Sequence, residues 1–381
     1  MNGIYYYVIA FFVIWTVALI FNNRLSTHGF SIEFPVIMWR TDKLRGLISR
    51  IANISPRFWK YFMTVGIFVA FGAMIAMAWL LVSSLETIST TPSVSLVIPG
   101  VEMPGSSIYV PLGYGLIGLA TVLIVHEFSH GILAVSEKIN IKSIGLLLFA
   151  IIPGAFVEPD EEELKASSKL SQLRVYAAGS IANMSLAAIA LVLFLVISSY
   201  AIPANFSENG IEINRVVSDS PASQYLKEGM VIESIDNHTV DNSDSYLNVV
   251  GSFKPGDNVT VGTNQGSYTI TLDKNPNNES VGYFGIQAAK HYELNNNAFG
   301  PLPWIYFGLA ELFQWMFVLN LGIGTFNLLP MKPLDGGHFF ENLLSYIMPE
   351  VAYKPIVTFM SFFMGIIIVV SLVVGLFGVP F

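Results

Sequence analysis

Long apolar runs dominate this chain. Six stretches, about 4–21, 61–84, 113–135, 175–200, 303–329 and 355–379, are apolar for long enough to cross a bilayer as helices. Polar loops separate them, and Lys and Arg are unevenly shared among those loops. The 22–60 loop holds Arg24, Arg40, Lys43, Arg45, Arg50, Arg57 and Lys60 against Glu33 and Asp42, whereas 85–112 has neither Lys nor Arg. Loop 136–174 is again basic, with Lys138, Lys142, Lys165, Lys169 and Arg174. Read by the positive-inside rule, 22–60 and 136–174 are cytoplasmic, 85–112 is outside, and so are both termini. The first run has no basic flank before it and no small-residue cleavage site after it, so it is expected to be a retained helix.

Two regions break the pattern. Residues 139–157 are apolar but interrupted by Gly145, Pro153 and Gly154, and they begin and end on one side. That predicts a membrane re-entrant hairpin, with the acidic run Glu158 to Glu163 marking its return to water. Residues 206–290 shift to Asn, Asp, Ser and Gly with alternating strands around a turn at Gly266, which predicts a small mostly-β domain placed outside by the topology. The expected class is a polytopic α-helical membrane protein with about six transmembrane helices. Its parts are 1–84, two helices joined by a basic loop; 85–205, the first part of a membrane core; 206–290, the β domain; 291–345, the rest of the core; and 346–381, a last helix.

Composition agrees: 53% of the 381 residues are hydrophobic and 12% charged, with a mean hydropathy of +0.59. The formal charge of −8 comes with no basic, aromatic-interleaved patch, so no nucleic-acid partner is expected. Cysteine is absent, which excludes disulfides, thiolate metal sites and a cysteine nucleophile.

Chemistry concentrates where ionisable residues are least expected. His126-Glu127-Phe128-Ser129-His130 lies in the third apolar run, where each ionisable group costs about 2.5–3.5 kcal/mol on insertion scales. On a helix the two histidines share a face and can address one metal ion, while Glu127 lies beside them, placed to handle a proton. A catalytic zinc needs a third protein ligand. At matching depth the fifth run ends Asn327-Leu-Leu-Pro330-Met-Lys-Pro333-Leu-Asp335-Gly336-Gly337-His338. Its prolines predict an unwound segment carrying Asp335, and its glycines a tight backbone approach. His338 is the rival ligand, set closer to the interface by Lys332 and Glu341.

With these residues the chain resembles the site-2 protease family of intramembrane zinc metalloproteases. The resemblance rests on H126-E-F-S-H130, on N327-L-L-P-M-K-P-L-D335-G, and on Gly179-Ser-Ile-Ala-Asn183, where Ser180 stands in place of the family's proline. It implies zinc on His126, His130 and Asp335, with Glu127 as general acid and base. Asn183 is a candidate donor to the oxyanion or to the substrate backbone. It implies transmembrane substrates, single-pass and already pre-cleaved, cut within the bilayer near the cytoplasmic side of the cell membrane. A helical substrate must unwind first, and pairing with the 139–157 hairpin would offset its lost hydrogen bonds.

The 206–290 insert resembles a PDZ domain through 213–222, 226–236 and Val281-Gly-Tyr-Phe-Gly285-Ile286, the last similar to a carboxylate-binding loop able to hold a peptide C-terminus. Two rivals remain. One is a loop-cleaving membrane metalloprotease, disfavoured by Asp335 where such enzymes take a Glu. The other is a catalytically silent membrane scaffold binding peptides through the PDZ-like domain, disfavoured by the intact Glu127.

Overall fold

A computed structural model describes residues 4–41, 43–88, 94–106, 108–276, 278–295 and 300–377. The chain divides into two compact units, residues 1–194 with 309–381, and residues 195–308.

The first unit opens with α1 (Ile4–Ile20) and the short α2 (Asn22–Ser26). Next come β1 (Phe30–Glu33), β2 (Val36–Arg40) and α3 (Lys43–Ile54), all inside the stretch expected to be a basic loop. α3 turns Ile48 and Ala52 inward, both fully buried, and keeps Lys43 and Arg50 exposed on the other face. α4 (Pro56–Ser83) follows, started by the Ser55 hydroxyl accepting from the Phe58 N–H and by Pro56 in the first turn. α5 (Leu112–Ser136) carries the histidine pair.

The apolar stretch 139–157 does form a hairpin, built as strands β3 (Ile141–Phe149) and β4 (Ile152–Pro159). β1 and β2 extend it into one antiparallel sheet in the order β1-β2-β3-β4, which leaves β4 at an edge. The sequence does not predict this sheet, because β1 and β2 are short and β2 finds its second partner, β3, more than a hundred residues later. The acidic run then becomes α6 (Glu161–Ala166), with Asp160 accepting from the N–H groups of Glu162 and Glu163. α7 (Lys169–Val196) packs beside α5.

The second unit contains α8 (Ile202–Asn205) and strands β5 (Phe206–Val216), β6 (Val231–Ile235) and β7 (His238–Thr239). After α9 (Ser243–Val250) come β8 (Asn258–Thr263), β9 (Gly266–Thr271), β10 (Asp273–Asn275), β11 (Asn278–Tyr283) and β12 (Ile286–Leu294). The main sheet runs β12-β5-β6-β8-β9, with β7 on β6, and β10 pairs β11 separately. Its core is aliphatic, with Ile213, Ile235, Val259 and Ile270 fully buried. β12 is an edge strand, preceded by Gly285 at φ +80°.

The chain returns to the first unit along α10 (Ile305–Phe326), α11 (Asp335–Ser345) and α12 (Glu350–Phe377). Among the described residues, α4, α5, α7, α10 and α12 are long and apolar enough to cross a membrane. α1, the sixth expected span, has 17 residues, a rise of about 26 Å against a hydrocarbon core of about 30 Å. Large apolar side chains such as Phe68, Trp79, Phe359 and Phe362 are exposed on these helices, as a lipid-facing surface requires. The chain is a polytopic membrane protein with a small β domain.

Candidate metal centre

The one-turn spacing on α5 brings the two imidazoles together, with ring centroids 4.9 Å apart. Asp335 meets both. Its Oδ2 is 3.0 Å from His126 Nε2 and 3.2 Å from His130 Nε2. Among the described residues these three form the group able to hold a metal ion, their donor atoms all within 4.8 Å of one another. Asp335 is the first residue of α11 and not part of the unwound stretch, which is confined to 327–334. Two contacts set its position. The Gly336 N–H donates to the Asn327 carbonyl at 2.8 Å, and a Cβ at Gly336 would collide with the Leu328 carbonyl. The glycine is therefore required by close backbone approach.

His338 lies elsewhere. It stacks on Tyr176, with centroids 5.5 Å apart and planes at 26°. Burial and the neighbouring Lys332 ammonium hold its pKa below the ordinary histidine value.

One stripe of α7 backs both imidazoles. Val175, Gly179 and Asn183 are four residues apart and share a face. The Val175 carbonyl is 2.8 Å from His130 Nδ1. Gly179 lies flat against His126: a Cβ there would sit 2.5 Å from both Cε1 and Nε2 and 2.6 Å from Cδ2. The Asn183 side chain is fully buried, with its amide nitrogen Nδ2 3.2 Å from His126 Nδ1. The sequence had marked Gly179 and Asn183 but not Val175, whose contribution comes from the main chain and leaves no trace in residue type.

The donor chemistry suits zinc. Two neutral imidazoles and one carboxylate are a common catalytic set, and donors bonded at about 2.0 Å around a tetrahedral ion lie about 3.3 Å apart, close to the spacing seen. Each histidine also has a polar partner at its outer nitrogen, the arrangement that orients metal-ligating imidazoles.

Glu127 stands outside this group of donors. Its Oε2 accepts the Val157 N–H at 3.0 Å. Val157 is on β4, opposite Ile144, and the Ile144 carbonyl accepts from Thr41 on the far side of β3. The Ile144–Val157 pair is therefore a non-hydrogen-bonded pair, and the polar groups of Val157, and of Ala155 two residues before it, face the free edge of the sheet. Pro153 and Pro159 have no N–H to add, so that edge offers two donors, one of them engaged by Glu127. Next to this edge lies an apolar cavity of about 790 Å³, lined by Val13, Val17, Leu123, Ile124, Leu146 and Ala155 among others.

Behind the histidines a buried ion network joins three helices. Glu137, just past α5, pairs with Arg174 of α7 at 2.7 Å and Lys60 of α4 at 3.0 Å, and accepts from the Ser171 hydroxyl at 2.9 Å. Burial alone would raise its pKa; the bonds from Arg174, Lys60 and Ser171 outweigh that and hold the carboxyl below its ordinary range.

Comparison with known proteins adds the following. The profile of peptidase family M50 matches residues 114–371. An uncharacterized protein of Methanocaldococcus jannaschii is 29% identical over 230 residues, 60% of this chain and 56% of that protein. The membrane-bound transcription factor site-2 protease homolog of Arabidopsis thaliana is 29% identical over 136 residues, 36% of this chain and 26% of that one. The chain thus spans about half and about a quarter of these two relatives. The PDZ domain of an SdrC-like protein from Listeria monocytogenes is 24% identical to the part it matches, 21% of this chain and 88% of that domain, with a TM-score of 0.20.

Proposed function

The chain belongs to peptidase family M50, the site-2 protease family, and we propose that it is a zinc-dependent endopeptidase that cuts transmembrane segments of other membrane proteins within the bilayer. The convergence of His126 Nε2, His130 Nε2 and Asp335 Oδ2 on one point carries this reading. Zinc held there supplies a Lewis acid and a water acidified to about pKa 7.

The rest is done by the chain's own residues. Glu127 is adjacent to His126 on α5 but off the face shared by the two histidines, so it is free to take a proton and return it to the leaving amine. To do so it must leave the Val157 N–H. A substrate unwound to a strand along β4 would use that same N–H together with Ala155, so strand pairing and release of Glu127 coincide. The neighbouring apolar cavity would take the substrate's side chains.

By the distribution of Lys and Arg, the hairpin and the metal centre lie near the cytoplasmic side, and the β domain lies outside. Its edge strand β12 behind Gly285 supports a PDZ-like groove for a peptide C-terminus, which would select or admit substrates.

Purified chain carrying Glu127→Gln tests the reading. It should retain one zinc and fold normally while cleavage of a single-pass substrate falls at least about a hundredfold. Near-normal turnover would remove the mechanism.

A further inference from the structure

We infer that Asn183 is the positioning residue of the metal centre: it accepts a hydrogen bond from His126 Nδ1 and so fixes the tautomer in which Nε2 offers its lone pair to the metal. The inference rests on the metal-centre reading above and differs from the oxyanion-donor role that the sequence suggests for this residue.

The two imidazoles set up the argument. Both direct Nε2 toward Asp335 Oδ2. A neutral imidazole carries one N–H, so an Nε2 that binds metal leaves the proton on Nδ1, which must then donate. His130 meets this with the Val175 carbonyl, which can only accept. His126 has the Asn183 amide at its Nδ1, placed with the amide nitrogen Nδ2 facing the ring at 3.2 Å. Half a turn about the last side-chain bond exchanges the amide's oxygen and nitrogen, and with metal on Nε2 only the oxygen-facing orientation makes a hydrogen bond. Val175 and Asn183, at the two ends of one helical stripe, thus serve the two ligands in the same way, one through main chain and one through side chain.

Gly179 completes the device. It holds His126 flat against α7, so the ring cannot swing to another partner. The cost of the arrangement also points to its purpose. As placed, Asn183 Oδ1 is buried with no hydrogen bond, and after the half turn the amide nitrogen takes that position; either way one polar atom goes unpaired, a loss of about 1–3 kcal/mol that an aliphatic side chain of the same size would avoid. Asn183 is fully enclosed and its amide is committed to the ring. A donor to substrate would need to be reachable.

The test compares Asn183→Asp and Asn183→Leu with the wild-type full chain in detergent, measuring zinc affinity by chelator competition. The two replacements are similar in size, and only Asp can accept. Leu should weaken zinc binding about 10- to 100-fold, while Asp should stay within about threefold of wild type, as expected for an outer-shell acceptor. Leu retaining wild-type affinity, or Asp losing as much as Leu, would overturn the assignment. So would Leu abolishing cleavage with zinc affinity unchanged, since that is the signature of an oxyanion donor. A wild-type chain that holds no zinc would overturn the metal-centre reading itself, and this inference with it.

Discussion

Replacing Gly179 by Ala is the sharpest test of how α7 holds the metal ligands. The added methyl would lie 2.5–2.6 Å from three ring atoms of His126, where real Cβ contacts are essentially never found. The ring cannot retreat easily, being engaged by Asp335 at one nitrogen and Asn183 at the other. Two terms then oppose each other in stability. Ala gains about 1 kcal/mol over Gly in a helix interior, and overpacking costs about 1–3 kcal/mol. Their sum is small, so the melting temperature is a poor readout.

Ligand geometry has no such compensation. Tilting His126 should weaken zinc binding about 10- to 100-fold, equivalent to about 1.4–2.8 kcal/mol. Chelator competition on the purified full chain measures this directly. Gly113→Ala on α5 is the control, since a Cβ there meets nothing within 4 Å, and it should bind zinc as wild type does. Gly179→Ala with the control's affinity would refute the idea that α7 clamps the ring.

Changing His126, His130 or Asp335 to Ala should each abolish stoichiometric zinc, while His338→Ala should leave it in place; metal analysis showing the reverse for Asp335 and His338 would move the third ligand. Glu137→Gln should destabilise the fold by about 3–5 kcal/mol, because it leaves Arg174 and Lys60 without their buried partner. The pH dependence has a definite sign. With the Glu137 carboxyl held below its ordinary range, its contribution is complete above the unfolded value of about 4.3 and is lost as pH falls through the lower folded value. Thermal unfolding should therefore show an acid-side loss of stability that is smaller in Glu137→Gln. Single cysteines at positions 45 and 257 should be labelled by an impermeant reagent in intact cells only at 257, the native chain having none to interfere.

The metal-binding group shows how unevenly a sequence reports a site. His126, Glu127 and His130 are legible because helix periodicity alone puts the two histidines on one face, and because ionisable groups are conspicuous in an apolar run. Asp335 is legible through its depth and its flanking prolines and glycines. Its place as the first residue of α11 is not, since that depends on where the unwound stretch finds its hydrogen bonds.

Only the tertiary structure decides what touches these residues. The Val175 carbonyl on His130 is invisible in sequence, because every residue has a carbonyl. Gly179 could be read as any packing glycine until the His126 ring is seen against it. The sheet β1-β2-β3-β4 was missed for a related reason. Alternation in β1 and β2 covers too few residues to register, and β3, the strand that joins β2 to the hairpin, is remote in the chain. Spans and metal ligands are written locally, in hydropathy, period and ionisable residue type. The orientation of the imidazoles and the binding of Glu127 to the β4 edge arise from backbone groups brought together by packing, and residue identity does not encode those.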